Sequence, residues 1–224
     1  MLKAIAATYG SLTEGTYTLL RQQLLSGQIG PGERLKVGEL VEQLGVGQGA
    51  VREALARLTA DGLIDSEPQR GFRAKSISVE ELRDLTTVRI NIEGECIRRS
   101  FRSGDLEWEK QLVSVHHRLV RTQRLLDNGH CNEEWDRVHF EFHEVLVAGC
   151  SCNWLLQLQR MLHAQNERAR QILSPGPDPD RNVSVEHSEL LTAALTRDEE
   201  KGIKIIEAHL EATTARLLRA LGVK

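Results

Sequence analysis

The stretch VGELVEQLGVGQGAVREALARLTADGLI, residues 37–64, decides the fold of the N-terminal part of the chain. Leucine, valine and alanine recur in it at helical spacing in two short segments, and a glycine-rich turn at residues 45–47 separates them. The spacing predicts one helix over Val37–Leu44, closed by Gly45, and a second helix over residues 48–61. Two short helices joined by a tight turn are typical of a helix-turn-helix.

The flanking sequence adds the other parts of a winged helix. Leucines at helical spacing predict a preceding helix over residues 14–26, which the Gly/Pro segment GQIGPGERL ends. After the second helix, residues 63–77 alternate apolar and polar positions on both sides of a glycine-bearing turn, which predicts a short β-hairpin. Residues 1–76 are therefore predicted to be a winged helix-turn-helix with a hairpin wing.

The remaining residues, 77–224, show helical periodicity and almost no strand signal, so we predict a mainly α protein whose second domain is an all-α bundle of six to seven helices. The chain has 224 residues, and no apolar run approaches the roughly 20 residues that a membrane span needs. We therefore expect a cytoplasmic protein with no membrane partner. The predicted helices cover residues 79–103, 105–127, 132–148, 152–173, 183–196 and 198–220.

The N-terminal domain has basic and polar residues where a helix-turn-helix meets DNA. The second helix of this motif lies in the major groove, where Arg52 can pair with guanine and Gln48 with adenine. The net charge of −3 does not exclude this function, because DNA binding needs only a local basic face. The predicted contacts are the recognition-helix residues Gln48, Gly49 and Arg52, the phosphate-binding Arg34, and a wing tip formed by Arg70, Gly71 and Arg73.

Residues 14–75 resemble the DNA-binding domain of GntR-type regulators. The resemblance rests on LRQQLLSGQIGPGERL (20–35), ELVEQLGV (39–46), VREALARL (51–58), DGLI (61–64) and RGFR (70–73). It implies a double-stranded, palindromic operator and a homodimer that reads two half-sites. The family usually has Ser-Arg-Thr-Pro where this chain has Gly47-Gln48-Gly49-Ala50, so we do not carry over the family's usual operator.

Four histidines of the second domain fall in a pattern that fits a metal site, although spacing alone fits ordinary core or surface histidines equally well. His139 and His143 are four residues apart and share one face of a predicted helix, while His187 and His209 lie on two other predicted helices. Imidazoles from three helices can converge on one divalent ion inside a bundle. Imidazole ligands favour a divalent transition metal such as zinc or nickel. We expect the other histidines to be ordinary core or surface residues: His116, His117, His130 and His163.

Residues 79–220 resemble the all-helical FCD domain of FadR-like GntR regulators. The matching segments are LTTVRINIE (85–93), FHEVL (142–146), NWLL (153–156), EHSELLTAAL (186–195) and AHL (208–210). In the metal-binding branch of that domain an acidic residue and three histidines hold the ion. The resemblance places His143, His187 and His209 on the histidine positions and His139 on the acidic one, with Asp136 as an alternative ligand.

The same resemblance implies a small carboxylic or dicarboxylic acid as effector. It implies that Arg89 clamps the carboxylate through paired hydrogen bonds and that Arg168 supplies a second basic group. The sequence thus predicts a ligand-responsive repressor. Two alternatives use the same histidines: a regulator that senses the metal itself, and a metal-dependent hydrolase. The hydrolase is disfavoured because the chain offers no His-Glu-x-x-His arrangement with a general base.

Overall fold

The computed structural model describes residues 11–67, 71–125, 132–173 and 181–223. The chain divides into two compact units, one formed by residues 1–81 with 164–175 and the other by residues 82–163 with 176–224. Within the described ranges, no helix is both long enough and apolar enough to span a bilayer.

The first unit is a winged helix-turn-helix, as predicted. Its sheet has the strand order β1-β3-β2 with antiparallel pairing, and Arg34 of β1 lies opposite Arg73 of β3. The two-residue strand β1 was not predicted. In chain order the elements are α1 (Leu12–Leu25), β1 (Arg34–Leu35), α2 (Val37–Leu44), α3 (Gln48–Ala60), β2 (Ile64–Glu67) and β3 (Gly71–Ala74).

Local sequence explains where these helices begin and end. The Ser11 hydroxyl accepts a hydrogen bond from the backbone N–H of Glu14 at 3.0 Å and so caps α1. Gly45 ends α2 in the left-handed conformation, with φ 66°, which costs glycine no steric strain. The helices pack around leucines and valines that are almost fully buried, among them Leu20, Leu24, Val51, Leu55 and Leu58.

Within the described residues, six further helices follow the wing, in agreement with the prediction. The second of them ends at Arg121, earlier than predicted, and the predicted break at residues 127–129 lies outside the described residues. The buried core of the second unit includes Ile97, Phe101, Leu112, Phe142, Leu146 and Leu190. These helices are α4 (Val79–Ser103), α5 (Leu106–Arg121), α6 (Glu133–Val147), α7 (Asn153–Leu173), α8 (Val183–Leu195) and α9 (Glu199–Ala220).

Helices α4 and α9 approach closely because α9 carries a glycine at their contact. A Cβ atom on Gly202 would lie 2.5 Å from Cε2 of Phe101, whose ring is completely buried. Only a residue without a side chain therefore fits at this position without moving the ring.

The last part of α7 belongs to the first unit. The Gln165 side-chain amide donates hydrogen bonds to the carbonyls of Asp61 (3.0 Å) and Gly62 (3.2 Å), and the Arg168 guanidinium donates one to the carbonyl of Lys75. The sequence gives no sign of this grouping, because the predicted domain boundary between residues 76 and 77 assigns all of α7 to the second domain.

Candidate functional site

The four predicted histidines lie together inside the second unit. His139 and His143 come from α6, His187 from α8 and His209 from α9, and each side chain is at least 95% buried. One ring nitrogen of each lies within 4.8 Å of the corresponding nitrogens of the other three. The Nε2 atoms of His139 and His143 are 3.2 Å apart. Four imidazole nitrogens at this separation could hold one metal ion.

The surroundings keep these imidazoles in the form that binds metal. Burial lowers the pKa of His143 and His187 well below the ordinary value for histidine, and neighbouring histidines and Arg89 or Arg181 lower it further. A neutral imidazole has a lone pair to donate to a metal, whereas a protonated one has none. The indole of Trp135 stacks on the His139 ring with 4.6 Å between ring centres.

A carboxylate outside the cluster orients His209. Oε2 of Glu186 lies 2.7 Å from Nδ1 of His209, so this nitrogen carries the proton and Nε2 keeps its lone pair. Arg181 donates from Nε and from a terminal nitrogen to the two oxygens of Glu186, both at 2.7 Å. Burial alone would raise the pKa of Glu186, but the hydrogen bonds from Arg181 and His209 outweigh it and lower the pKa to about 2. Glu186 is therefore ionised at neutral pH.

The two predicted effector arginines, Arg89 and Arg168, lie in different units of the structure. Arg89 is 3% exposed, and its Nε and one terminal nitrogen each lie 2.8 Å from Oε1 of Glu93. Its charge lowers the pKa of His143 and of His209, which places it within electrostatic range of the cluster. Arg168 is grouped with the first unit, where it donates to the Lys75 carbonyl.

Sequence reasoning missed three residues of this site. His163, which we expected to be an ordinary histidine, is 2% exposed on α7 with its ring centre 5.4 Å from that of His143. Glu186 directly precedes His187, and this adjacency was the available signal for a carboxylate that orients a ligand. Arg181 lies in the Pro-rich stretch SPGPDPDRN (174–182), where no periodicity pointed to a buried side chain. Asp136 is partly exposed and does not belong to the four-residue cluster.

The predicted recognition residues lie at the exposed start of α3. Gln48, Gly49 and Arg52 are all exposed, while Val51 and Leu55 of the same helix are buried in the core. This orientation leaves the polar face of α3 open to a major groove. Arg34 is also exposed.

The predicted wing contacts are only partly described. Arg70 lies outside the described residues, and Gly71 is exposed at the start of β3 with φ 91°. Arg73 is held within the domain, because its Nε donates to Oε1 of Glu67 at 3.1 Å and a terminal nitrogen donates to the Gly32 carbonyl. It therefore stabilises the sheet in this structure.

A winged helix-turn-helix joined to a helical bundle defines a class of bacterial DNA-binding transcription regulators. Comparison with protein families agrees: the bacterial regulatory proteins of the gntR family match residues 12–73, and the FCD domain matches residues 84–212. The chain belongs to the GntR family and carries an FCD domain.

Individual relatives lead to the same assignment. The chain is 36% identical to the HTH-type transcriptional regulator BphR of Paraburkholderia xenovorans, over 97% of this chain and 89% of that protein. It is 30% identical to the HTH-type transcriptional repressor GlaR of Escherichia coli, over 87% of this chain and 90% of that protein. The solved structure of E. coli McbR/YncC has the same fold, with a TM-score of 0.74 at 22% identity over 93% of this chain and 98% of that chain. The chain is a transcription regulator and not an enzyme.

Proposed function

We propose that this regulator is a homodimeric, metal-dependent repressor that leaves its operator when a small carboxylic acid binds inside the FCD domain. The observation that carries the proposal is the convergence of four buried imidazoles in that domain. Because a bacterial transcription regulator must bind chromosomal DNA, we propose that the protein is cytoplasmic.

The residues present fit a divalent transition metal. Four neutral nitrogen donors suit zinc or nickel better than magnesium or calcium, which prefer oxygen ligands. The Nε2 atom of His187 is buried without a hydrogen-bond partner in the described structure, and such an atom costs stability unless something satisfies it. When bound, the ion supplies a Lewis-acidic centre that attracts carboxylate oxygens.

Arg89 is the protein's own contribution to binding the acid. Its contact with Glu93 uses two of the five N–H groups of the guanidinium, so three remain as donors. Burial raises the pKa of Glu93 in spite of the attraction of Arg89, and the pair is held away from water. A carboxylate beside Arg89 would receive charge-assisted hydrogen bonds in this dry environment. We propose no effector contact for Arg168 in the arrangement seen here, because its guanidinium is engaged with Lys75.

Metal content tests the first half of the proposal. Purified protein should hold one transition-metal ion per chain by mass spectrometry, and His209→Ala should lose most of it. His117→Ala, which changes an exposed histidine of α5, is the matched control and should keep the ion. An ion at about 100 times its Kd stabilises the folded state by roughly 2.7 kcal/mol, or about 5–11 °C in a chain of this size. An unchanged melting temperature on chelation would argue against a metal site.

Operator binding tests the second half. Fluorescence anisotropy on the DNA upstream of the regulator's own gene, with metal held constant, should show release when a small acid is added. The length of the protected DNA should show two half-sites about one helical turn apart if the protein binds as a dimer. Release by metal or chelator alone, with no effect of any acid, would instead identify a metal sensor.

A further inference from the structure

Three cysteines of the second unit meet where the turn between α6 and α7 packs on α4. Cys96 lies on α4, and Cys150 and Cys152 lie in the turn, residues 148–152. Cys96 is 0% exposed and Cys150 is 1% exposed, and both belong to the buried core. Cys152 packs against that core but is partly exposed. All three are free thiols.

Backbone contacts fix the turn against the face of α4 that carries Cys96. Ser100 lies one helical turn after Cys96 on the same face. Its hydroxyl donates to the Leu146 carbonyl at 2.8 Å and accepts from the N–H of Gly149 at 3.0 Å. A Cβ atom on Gly149 would lie 2.8 Å from both oxygens of Ser100, so only glycine allows this approach. Cys150 directly follows Gly149 and is thereby held beside Cys96.

The thiols of Cys96 and Cys150 lie in hydrogen-bonding contact. Burial, together with the charge and the hydrogen bond of Cys150, raises the pKa of Cys96 to about 12. Cys96 therefore keeps its proton at neutral pH, and the thiolate is the form of cysteine that attacks an oxidant. Any oxidation of this buried pair has to begin at a more accessible sulfur.

Cys152 is placed to be that sulfur. It is the partly exposed member of the group, and it is separated from Cys150 by a single residue. It lies within electrostatic range of Cys96 and of the Arg99 guanidinium, which attracts negative charge to this part of the surface. The three sulfurs thus lead from the surface through Cys150 to the buried face of α4.

We propose that these three cysteines form a peroxide-reactive site, in which Cys152 is oxidised first and a disulfide between Cys96 and Cys150 is the final product. The disulfide would join α4 covalently to the turn after α6. Disulfides that form in a reducing compartment are usually transient and respond to oxidants, which fits a site whose thiols are free in the resting protein.

The proposed reaction consumes one hydrogen peroxide and releases two waters. The Cys152 sulfur takes one oxygen as the O–O bond breaks, becomes a sulfenic acid, and the other oxygen leaves as water. The Cys150 sulfur then attacks the Cys152 sulfur, so that an S–S bond forms, the S–O bond breaks, and the hydroxide leaves as water with the Cys150 proton. Cys96 next attacks the Cys150 sulfur, and Cys152 leaves with the Cys96 proton as a free thiol. Cys96 and Cys150 have then lost two hydrogens, and the peroxide has been reduced.

The test treats the full chain with hydrogen peroxide, with zinc as the only transition metal in the buffer because zinc has no redox chemistry. Free thiols are blocked at timed intervals, and the bridged peptides are mapped by mass spectrometry. We expect one intramolecular bridge, Cys96–Cys150. It should raise the melting temperature by roughly 5 °C or more, and a reductant should reverse this rise.

Three variants separate the roles of the cysteines. Cys152→Ser, at a partly exposed position, should slow formation of the bridge by at least about tenfold, because only buried sulfurs remain in the group. Cys96→Ala should stop the reaction at a Cys150–Cys152 bridge. Cys131→Ser changes the fourth cysteine, which lies outside the described residues, and as the control it should react like the unmodified protein.

Two results would overturn the proposal. One is oxidation of Cys152 to sulfinic or sulfonic acid without any bridge to Cys96 or Cys150. The other is a Cys96–Cys150 bridge that forms as fast in Cys152→Ser as in the unmodified protein, which would remove the role of Cys152. Neither result bears on the histidine cluster, so the proposed function is tested separately.

Discussion

Glu186→Gln should weaken metal binding without removing any of the four imidazoles. The carboxylate accepts from Nδ1 of His209 and from two nitrogens of Arg181. An amide at this position keeps the shape but loses the charge, and it leaves the Arg181 side chain, 8% exposed, without its counter-ion. Loss of a partner that orients a histidine ligand typically costs 10–100-fold in metal affinity.

The cost to the metal-free fold follows from the pKa of Glu186. Against the opposing effect of burial, Arg181 and His209 lower this pKa from 4.5 to about 2. Because the folded-state pKa is depressed, the stabilisation is present above pH 4.5 and is lost as the pH falls through about 2. At pH 7 a shift of this size corresponds to at most about 3.5 kcal/mol of folding stability, since one pKa unit equals about 1.4 kcal/mol.

Two measurements at pH 7 check this prediction. Competition of zinc with a chromophoric chelator should show the affinity loss, and urea unfolding in excess chelator should show the loss of stability. Glu189→Gln, an exposed glutamate on the same helix, is the matched control and should match the unmodified protein in both. If Glu186→Gln bound zinc as tightly as that control, Glu186 would not orient His209.

Two further predictions concern packing and DNA binding. Gly202→Ala should lower the free energy of unfolding in urea by about 1–3 kcal/mol, because its methyl group would overlap the buried Phe101 ring. Gly38→Ala, at a helical position with open space around it, should raise the free energy of unfolding by about 0.5–1 kcal/mol. A decrease at Gly38 would contradict the open space found there. Arg52→Ala should weaken operator binding by about 1–3 kcal/mol and relax the base preference of one position, whereas Arg83→Ala, an exposed arginine of the second domain, should leave operator affinity unchanged in the same anisotropy assay.

Local signals in the sequence were enough to predict most of the helices. The bounds of Val37–Leu44 and Val79–Ser103 agree with the prediction, because periodic apolar residues and a terminal glycine or a change of composition mark them. The strand β1 was missed, since two residues cannot show an alternating pattern. The extent of α7 was predicted to its last residue, but the grouping of its final turns with the first unit was not, because that grouping depends on contacts with Asp61 and Lys75, which are distant in the chain.

The histidine cluster was predictable only in part. Helical spacing puts His139 and His143 on one face, but the positions of His187 and His209 came from the resemblance to the FCD domain. Glu186 and Arg181 support the cluster through tertiary hydrogen bonds to His209 and to each other. Sequence spacing does not predict these contacts. The predicted DNA contact of Arg73 stays a prediction, and in the free protein its side chain donates a hydrogen bond to Glu67.

The glycine before α3 leaves the first backbone N–H groups of the recognition helix available to bind the operator. Gly47 occupies the N-cap without any side chain to accept a hydrogen bond from the first turn. A backbone phosphate is a natural acceptor for such amides. The operator itself would then supply the missing cap, and a phosphate at this position would accept the hydrogen bonds that a serine side chain otherwise accepts.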